Sequence, residues 1–273
     1  MLTAVSLLTV ILILCVSELA AWQVFPIPKS TMSNCLAKSG PSGILRGVPN
    51  SVCTEESFET GRVEYRFNDC GFRSGSGCGS KPPGTYRIVM TGSSFGFGMH
   101  VDRDKSFAAL LPAELSQLTG RKVELINESM ILRFPRGVSL SVDEMLASKP
   151  DMILWALSSR DMLTPSQADF DAVSGASAGI VARVIDHIKT SRTRVLLQYY
   201  LYKNTNPSVK LRLMSIGRPD YLSANLSPSM KDRLTEFDLY YADIETRARA
   251  AGVLLVVAMV PGRTQAALVS MNR

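Results

Sequence analysis

The sharpest chemical signal in the sequence is a glycine- and serine-rich heptad, Gly92-Ser93-Ser94-Phe95-Gly96-Phe97-Gly98. It follows an apolar stretch typical of a strand and precedes an amphipathic stretch typical of a helix. Ligands of open α/β sheets bind at the carboxyl ends of strands, so a serine on a tight turn there points its hydroxyl into the crevice. Backbone N–H groups at the start of the next helix would face a developing oxyanion. The heptad therefore predicts a nucleophilic Ser94, with a purely structural Gly/Ser turn as the alternative.

The heptad also fits the G-x-S-x-G pattern, which needs an acid and a histidine further along the chain. His187 is the only histidine after the next helix, and it lies in a helix-like stretch, where a surface histidine is the simpler interpretation. His100 follows Ser94 by six residues, a position from which contact with the Ser94 hydroxyl would be awkward. A phosphate-binding loop is disfavoured because no Gly-Lys-Ser/Thr follows the glycines.

Apolar strands alternate with amphipathic helices along the rest of the chain. The predicted strands are residues 86–90, 122–127, 152–157 and 252–260, and the predicted helices are residues 106–118, 142–148, 168–189 and 230–251. The pattern leaves residues 194–202 open between strand and helix. The strands at 152–157 and 252–260 are unbroken apolar runs, so we expect both to be buried. This alternation predicts an α/β body with a parallel sheet covered on both faces.

Composition limits the possible partners. The chain has 273 residues, 46% hydrophobic and 20% charged, enough for one sizeable domain. Its net charge is +6, and the basic residues are scattered, so we expect no nucleic-acid partner. With two histidines in the whole chain, a His-rich metal site is disfavoured, and no motif indicates a cofactor.

Residues 2–25 contain a single charged residue, Glu18. About 20 apolar residues span a bilayer, so an uncleaved membrane anchor is the favoured interpretation. A cleaved signal peptide fits less well, because no Lys or Arg precedes the apolar run and Leu19-Ala20-Ala21 is a poor cleavage site. A buried soluble helix is the third interpretation. Basic residues appear only after the span, which taken alone indicates a cytoplasmic body.

The cysteines indicate the opposite compartment. Cys15 lies in the apolar span, whereas Cys35, Cys53, Cys70 and Cys78 crowd into one Gly- and Pro-rich stretch. An even set in such a stretch predicts disulfides and an exported body, with four free cytosolic thiols as the alternative. Zinc is disfavoured because no C-x-x-C occurs. Of the three possible pairings, proximity along the chain favours Cys35–Cys53 with Cys70–Cys78.

These observations predict three parts. Residues 1–25 form a transmembrane anchor or signal segment, residues 26–85 form an irregular linker or small cap, and residues 86–273 form the α/β domain. We expect a membrane-anchored protein with an exported body, or alternatively a secreted one.

Five segments follow one another in a fixed order. They are Asn68-Asp69-Cys70-Gly71-Phe72-Arg73, Lys81-Pro82-Pro83-Gly84-Thr85-Tyr86-Arg87-Ile88-Val89, the heptad, Val123-Glu124-Leu125-Ile126-Asn127 and Lys149-Pro150-Asp151-Met152-Ile153-Leu154. In order and spacing they resemble the SGNH (GDSL-like) hydrolases, especially their N-terminally anchored, exported members. The heptad resembles the family's G-D-S-F-T-F-G block. The resemblance covers residues 68–161, with looser similarity through 252–261. It implies a three-layer α/β/α, flavodoxin-like fold and ester hydrolysis through an acyl-enzyme.

Carried over by position, the resemblance makes Ser94 the nucleophile and first oxyanion donor. Ser93 stands where the family has an aspartate. The glycine of the family's second block corresponds to Leu132, which retains an N–H but does not adopt glycine's conformations freely. The asparagine of the third block corresponds to Arg160, whose guanidinium can donate hydrogen bonds and supply positive charge.

The family's last block, D-x-x-H, provides the histidine base and the aspartate that orients it. Residues 261–273 contain neither Asp nor His. Without a base, a serine hydroxyl is a poor nucleophile at neutral pH. Two explanations stay open: a truncated copy whose sheet is incomplete at the C-terminus, and a diverged relative that does not hydrolyse esters. The sequence therefore leaves open whether the chain is an enzyme.

Several functions remain in contention. The resemblance implies an esterase or deacylase that acts on acyl esters of carbohydrate or lipid through Ser94. The alternatives are a catalytically inactive binding protein or truncated copy on the same fold, and a polysaccharide O-acyltransferase using the same serine. An anchored envelope protein whose Cys-rich stretch mediates assembly is a further class. The expected partners are an acyl ester and, through the N-terminal segment, a membrane.

Overall fold

The computed structural model divides into two compact units. The described residues are 2–24, 29–39, 43–57, 60–77, 79–159, 161–162, 191–203, 206, 208, 225–262, 266 and 269. The first unit comprises Met1–Ile27, Pro165–Arg218 and Ala267–Arg273, and the second comprises Pro28–Thr164 and Pro219–Ala266. The predicted helix over residues 168–189 lies outside the described residues.

The described strands are β1 (Leu36–Ser39), β2 (Ile44–Gly47), β3 (Val52–Ser57), β4 (Gly61–Arg66), β5 (Thr85–Gly92), β6 (Lys122–Asn127), β7 (Met152–Ser158) and β8 (Leu254–Val260). The described α-helices are α1 (Leu2–Val24), α2 (Ser94–Phe97), α3 (Phe107–Thr119), α4 (Pro135–Leu140), α5 (Val142–Ala147), α6 (Arg192–Lys203) and α7 (Pro228–Ala250).

The first unit contains α1 and α6, and the single charged residue of α1 contacts the start of α6. The Glu18 carboxylate accepts hydrogen bonds from the Ser191 hydroxyl at 2.6 Å and the Arg192 N–H at 2.8 Å. An acid in this position satisfies N–H groups that lack partners within the helix. These bonds, that of Ser191 foremost, lower the pKa of Glu18 to about 2. Residues 194–202, which the sequence left open, are helical.

No helix within the described ranges is long and apolar enough to cross a membrane. The membrane anchor expected over residues 1–25 is not confirmed, and the location of the protein stays a prediction.

The second unit is built on a four-stranded, fully parallel sheet in the order β6-β5-β7-β8. Numbered along the chain, this order is 2-1-3-4, which matches the start of the flavodoxin-like order 2-1-3-4-5. All four strands occur where the sequence predicted them. The predicted α/β fold class is confirmed.

Helices cover both faces of this sheet, which gives three layers. Alternate residues of β5 face opposite sides. Val89 packs in a cluster with residues of α4, α5 and α7, whereas Ile88 and Met90 pack with Ala108 of α3. The two central strands, β5 and β7, are therefore the most deeply buried.

The outer strand β8 differs from expectation. Leu254 is 52% exposed and Met259 is 53% exposed, so the prediction of a buried strand over 252–260 is wrong. The physical reason is position: β8 pairs with β7 on one side, and no strand in the described part of the chain pairs with its other side. An apolar run reports hydrophobicity, and it cannot distinguish a central strand from an edge strand.

Residues 29–77, called here the hairpin segment, contain two antiparallel hairpins, β1–β2 and β3–β4. Their core includes Tyr65 and Phe67, and it continues into Phe97 and Met130 of the α/β body. Regular structure thus begins well before residue 86, and the hairpin segment belongs to the same compact unit as the sheet.

A disulfide joins Cys35 to Cys53, with a Cα–Cα distance of 6.2 Å, and confirms that predicted pairing. Cys70 is also disulfide-bonded. Cys78, its expected partner, lies outside the described residues. Cys15 is a free, exposed thiol.

Candidate active site

Ser94 lies where the central strand β5 ends and the one-turn helix α2 begins. Gly92 has a φ of 147°, and a Cβ at this position would lie 2.3 Å from the carbonyl oxygen of Ala156 in β7. Only glycine allows this close approach of two strands before the turn. Ser93 is buried, whereas Ser94 is partly exposed. Within the described residues, the Ser94 hydroxyl has no hydrogen-bond partner, so it is available at the carboxyl edge of the sheet.

The turn that carries Ser94 is fixed by the loop after β6. The Asn127 side chain donates from Nδ2 to the Gly96 carbonyl oxygen at 3.0 Å and accepts from the Ser129 N–H at 3.1 Å. A Cβ on Gly96 would lie 2.4 Å from Ser129 Oγ, so the two loops are in direct contact. Asn127 therefore joins the Ser94 turn to the loop that follows β6.

Leu132 lies on this same loop and adopts the left-handed conformation, with a φ of 61°. This conformation costs an ordinary L-residue about 1–2 kcal/mol, and glycine takes it freely. The Leu132 side chain is 64% exposed, so burial does not compensate the strain. Its N–H has no hydrogen-bond partner among the residues that the structure describes. The backbone at this position thus has a conformation that glycine adopts freely, and the resemblance places a glycine here.

The loop carrying Leu132 runs beside the end of β5. Beyond the last strand residue, the Glu128 N–H donates to the Met90 carbonyl oxygen at 2.8 Å, and the Met130 N–H donates to the Gly92 carbonyl oxygen at 3.0 Å. The loop is therefore tied to the residues that immediately precede Ser94.

The third expected contributor, Arg160, lies outside the described residues. At the end of β7, Asp161 accepts from the Ser158 N–H at 2.7 Å and from the Ser158 hydroxyl at 3.0 Å. Both side chains are buried. Asp161 therefore binds the last residue of β7.

Glu128 is a buried acid that no motif in the sequence indicated. It is 1% exposed. Desolvation raises its pKa to about 7, although the nearby charges of Arg133 and Arg46 oppose the shift. The signal in the sequence was a charged residue directly after a strand expected to be buried.

His100 contacts two residues of the hairpin segment, Glu55 and Tyr65. Its Nδ1 lies 3.4 Å from Glu55 Oε2. The Tyr65 hydroxyl donates to Glu55 at 2.8 Å and accepts from the His100 N–H at 2.9 Å. His100 has a positive φ of 62°. No hydrogen bond between His100 and Ser94 occurs in the described part of the chain, and His187 lies outside it.

The described residues contain no group of side chains suited to bind a metal ion. Across the described ranges, no three His, Cys, Asp or Glu side chains come together as metal ligands would.

Comparisons with known proteins give matches only among solved structures. No protein-family model and no curated protein matches this chain. The crystal structure of TesA matches at 14% identity with a TM-score of 0.34, over 63% of this chain and 58% of that one. The chain thus spans less than two thirds of the TesA chain. AlinE4, an SGNH-hydrolase family esterase, matches at 17% identity with a TM-score of 0.31, over 64% of this chain and 77% of that one. A variant of Axe2, an acetyl xylan esterase from Geobacillus stearothermophilus, matches at 14% identity with a TM-score of 0.30, over 63% and 75%.

Proposed function

We propose that this protein is a serine ester hydrolase of the SGNH type, which cleaves acyl esters of carbohydrate or lipid through an acyl-enzyme on Ser94. The observation that carries the proposal is the placement of a partly exposed Ser94 hydroxyl at the carboxyl end of the central strand of a parallel sheet. Catalytic groups of open α/β sheets occupy this edge. The left-handed Leu132 supports the same assignment, because its N–H on the adjoining loop has no hydrogen-bond partner among the described residues.

The proposed reaction has two halves. Ser94 Oγ attacks the carbonyl carbon of the ester and loses its proton to a general base, and the carbonyl oxygen becomes an oxyanion. No residue hydrogen-bonded to the Ser94 hydroxyl fills the role of that base within the described part of the chain. The N–H groups of Ser94 and Leu132 donate to that oxyanion, and the Arg160 guanidinium adds positive charge. Collapse of the intermediate releases the alcohol with the proton from the base. Water then attacks the acyl-Ser94 ester by the same route and releases the carboxylic acid.

A second candidate is a binding protein that uses the same edge of the sheet without catalysis. A specific observation favours it: within the described residues, the Ser94 hydroxyl has no histidine as a partner. The replacement of the family's aspartate and asparagine by Ser93 and Arg160 points in the same direction. In this role the site would bind an acyl ester without cleaving it.

We further propose that the body of the protein is exported. The Cys35–Cys53 disulfide and the disulfide-bonded Cys70 support this location, because disulfides persist in oxidising compartments.

The test is hydrolysis of p-nitrophenyl acetate, p-nitrophenyl octanoate and an O-acetylated polysaccharide by the purified full chain. We expect wild type to hydrolyse at least one of them, and Ser94→Ala to lose the activity by about 1,000-fold or more. Ser227→Ala is the matched control. The Ser227 hydroxyl accepts from the Met230 N–H at 3.2 Å at the start of α7, so its loss costs about 1 kcal/mol of stability and leaves the rate unchanged.

Equal activity in Ser94→Ala and wild type would refute the acyl-enzyme. A folded wild type that binds the acetylated polysaccharide and hydrolyses nothing would establish the second candidate instead.

A further inference from the structure

The Arg73 side chain contacts the backbone at the end of the turn that carries Ser94. It comes from the hairpin segment and is 2% exposed. Its Nη1 donates to the carbonyl oxygens of Phe97 at 2.9 Å and Gly98 at 2.6 Å, and its Nη2 donates to that of Val101 at 2.5 Å. One guanidinium thus binds the backbone at the point where the chain leaves α2.

Two aromatic rings complete the surroundings of this cation. The guanidinium carbon lies 4.6 Å from the centroid of the Tyr65 ring and 5.3 Å from that of Phe97. The rings themselves are stacked with centroids 5.5 Å apart. Carbonyl dipoles and ring faces are the groups that offset the desolvation of a buried cation. Burial lowers the pKa of Arg73 to about 10, so the group stays charged at neutral pH.

Arg73 binds the carbonyl groups of Phe97 and Gly98, and backbone hydrogen bonds connect this part of the chain to Ser93 and Ser94. The Phe97 N–H donates to the Ser93 carbonyl oxygen at 2.9 Å, and the Met99 N–H donates to the Ser94 carbonyl oxygen at 3.0 Å. Because α2 has a single turn, a shift of its last residue moves its first residue too.

Gly98 allows Arg73 to approach this closely. It has a φ of 77°, and a Cβ there would lie 2.9 Å from Arg73 Nη1. The absence of a side chain at Gly98 therefore leaves the space that the Arg73 guanidinium occupies.

We propose that Arg73 is a positioning residue for the Ser94 nucleophile. It fixes the exit of α2 so that the Ser94 hydroxyl and N–H are presented together at the sheet edge, and it acts through the backbone without touching the reacting atoms. The proposal rests on the nucleophilic role proposed above for Ser94.

The experiment compares Arg73→Met and Arg73→Lys with the matched control Arg87→Met, all in the full chain. Arg87 is also a buried arginine; it bonds Glu124 at 2.5 Å, the Ser148 carbonyl at 2.7 Å and the Gly79 carbonyl at 3.1 Å. It lies near the start of β5, at the opposite end of the strand from Ser94. Two quantities are measured on folded protein: the inactivation rate constant for Ser94 labelling by a fluorophosphonate, and amide hydrogen exchange at residues 97–99.

We expect Arg73→Met to label about 100-fold more slowly, because small displacements of a reacting group have effects of this size. Exchange at residues 97–99 should be at least ~10-fold faster, because the backbone bonds of α2 open more often. Arg73→Lys should restore part of the labelling rate and part of the exchange protection, because lysine keeps the positive charge. The recovery should be incomplete, because lysine lacks the planar guanidinium that binds several carbonyl groups at once. Arg87→Met should lower Tm without changing either quantity. Should Arg73→Met fail to fold, Arg73→Lys provides the same comparisons.

The outcomes separate the two proposals. If wild type does not label, the nucleophilic role of Ser94 fails, and exchange alone decides whether Arg73 orders the turn. If a folded Arg73 variant labels and exchanges like wild type, the positioning role is overturned. Faster exchange with unchanged labelling overturns it as well, because the order of the turn would then have no influence on Ser94.

Discussion

The Asn127 side chain donates a hydrogen bond to the Gly96 carbonyl oxygen over 3.0 Å. Asn127 is the last residue of β6, and Gly96 lies within the one-turn helix that Ser94 begins. The bond therefore joins two neighbouring strand ends of the parallel sheet. Together with Arg73, which binds the exit of the same helix, it leaves the Ser94 turn little freedom to move.

The contact between Gly96 and Ser129 predicts the effect of adding one methyl group. In Gly96→Ala the new Cβ would lie 2.4 Å from Ser129 Oγ, so the loops must separate. We expect the free energy of unfolding to fall by about 2 kcal/mol and labelling of Ser94 to slow. Gly75→Ala is the control, because a Cβ there meets no atom within 4 Å. Equal denaturation midpoints for the two variants would show that the loops are not in contact.

The left-handed Leu132 predicts a stabilising substitution. Leu132→Gly removes backbone strain at an exposed residue, and this gain exceeds the entropy that glycine adds to the unfolded chain. We expect the free energy of unfolding to rise by about 0.5 kcal/mol, with the N–H retained. Leu132→Ala keeps the strain and should show no gain. A Leu132→Gly protein that is less stable than Leu132→Ala in urea denaturation would argue against the strained conformation.

Glu128 predicts a pH dependence of stability. Its pKa of about 7 in the folded chain lies above the ordinary value of 4.5, so the folded chain holds this proton more tightly than the unfolded chain. The stabilisation is fully present below pH 4.5 and is lost as the pH rises through 7. We expect a loss on the order of 3 kcal/mol across this window, measured as the free energy of unfolding in urea at several pH values.

In Glu128→Gln, which cannot ionise, this decline should disappear. Glu114→Gln, which alters an exposed glutamate on α3, should leave the decline intact. A slope that survives in Glu128→Gln would assign the pH dependence to another group.

The disulfide predicts the stability of the hairpin segment. Replacing both Cys35 and Cys53 by serine opens a loop with a sequence separation of 18, which should lower the free energy of unfolding by about 3 kcal/mol. Cys15→Ser, at a free and exposed thiol, should change nothing. The measurement is the shift in Tm. An unchanged Tm in the double variant would mean that the hairpins fold independently of the bond.

The sheet could be predicted from the sequence because its strands carry strong local signals. The segments 86–90, 122–127 and 152–157 are rich in apolar and β-branched or aromatic residues, and they coincide with β5, β6 and β7. The exposure of β8 could not be predicted, because the number of neighbours of a strand is a property of the sheet. The hairpins were missed because Gly, Pro and Ser dominate that stretch and conceal its short strands.

The site was predictable only in part. The sequence made Ser94 a candidate through its place between a strand and a helix, and Leu132 only through the family resemblance. The contact between His100 and Glu55 could not be predicted, since it joins residues far apart in the chain. Arg73 ends the first of the five segments that resemble the SGNH hydrolases, yet that segment does not show which carbonyl groups the side chain binds. Long-range contacts of this kind leave no periodic pattern.

The most direct test of a nucleophilic Ser94 is site mapping of a fluorophosphonate on the native full chain by mass spectrometry. A nucleophilic Ser94 predicts one probe per chain, attached to Ser94, with no labelling in Ser94→Ala or in chain unfolded before the probe is added. A folded chain that takes up no probe, or that carries it on another serine, would contradict this role of Ser94.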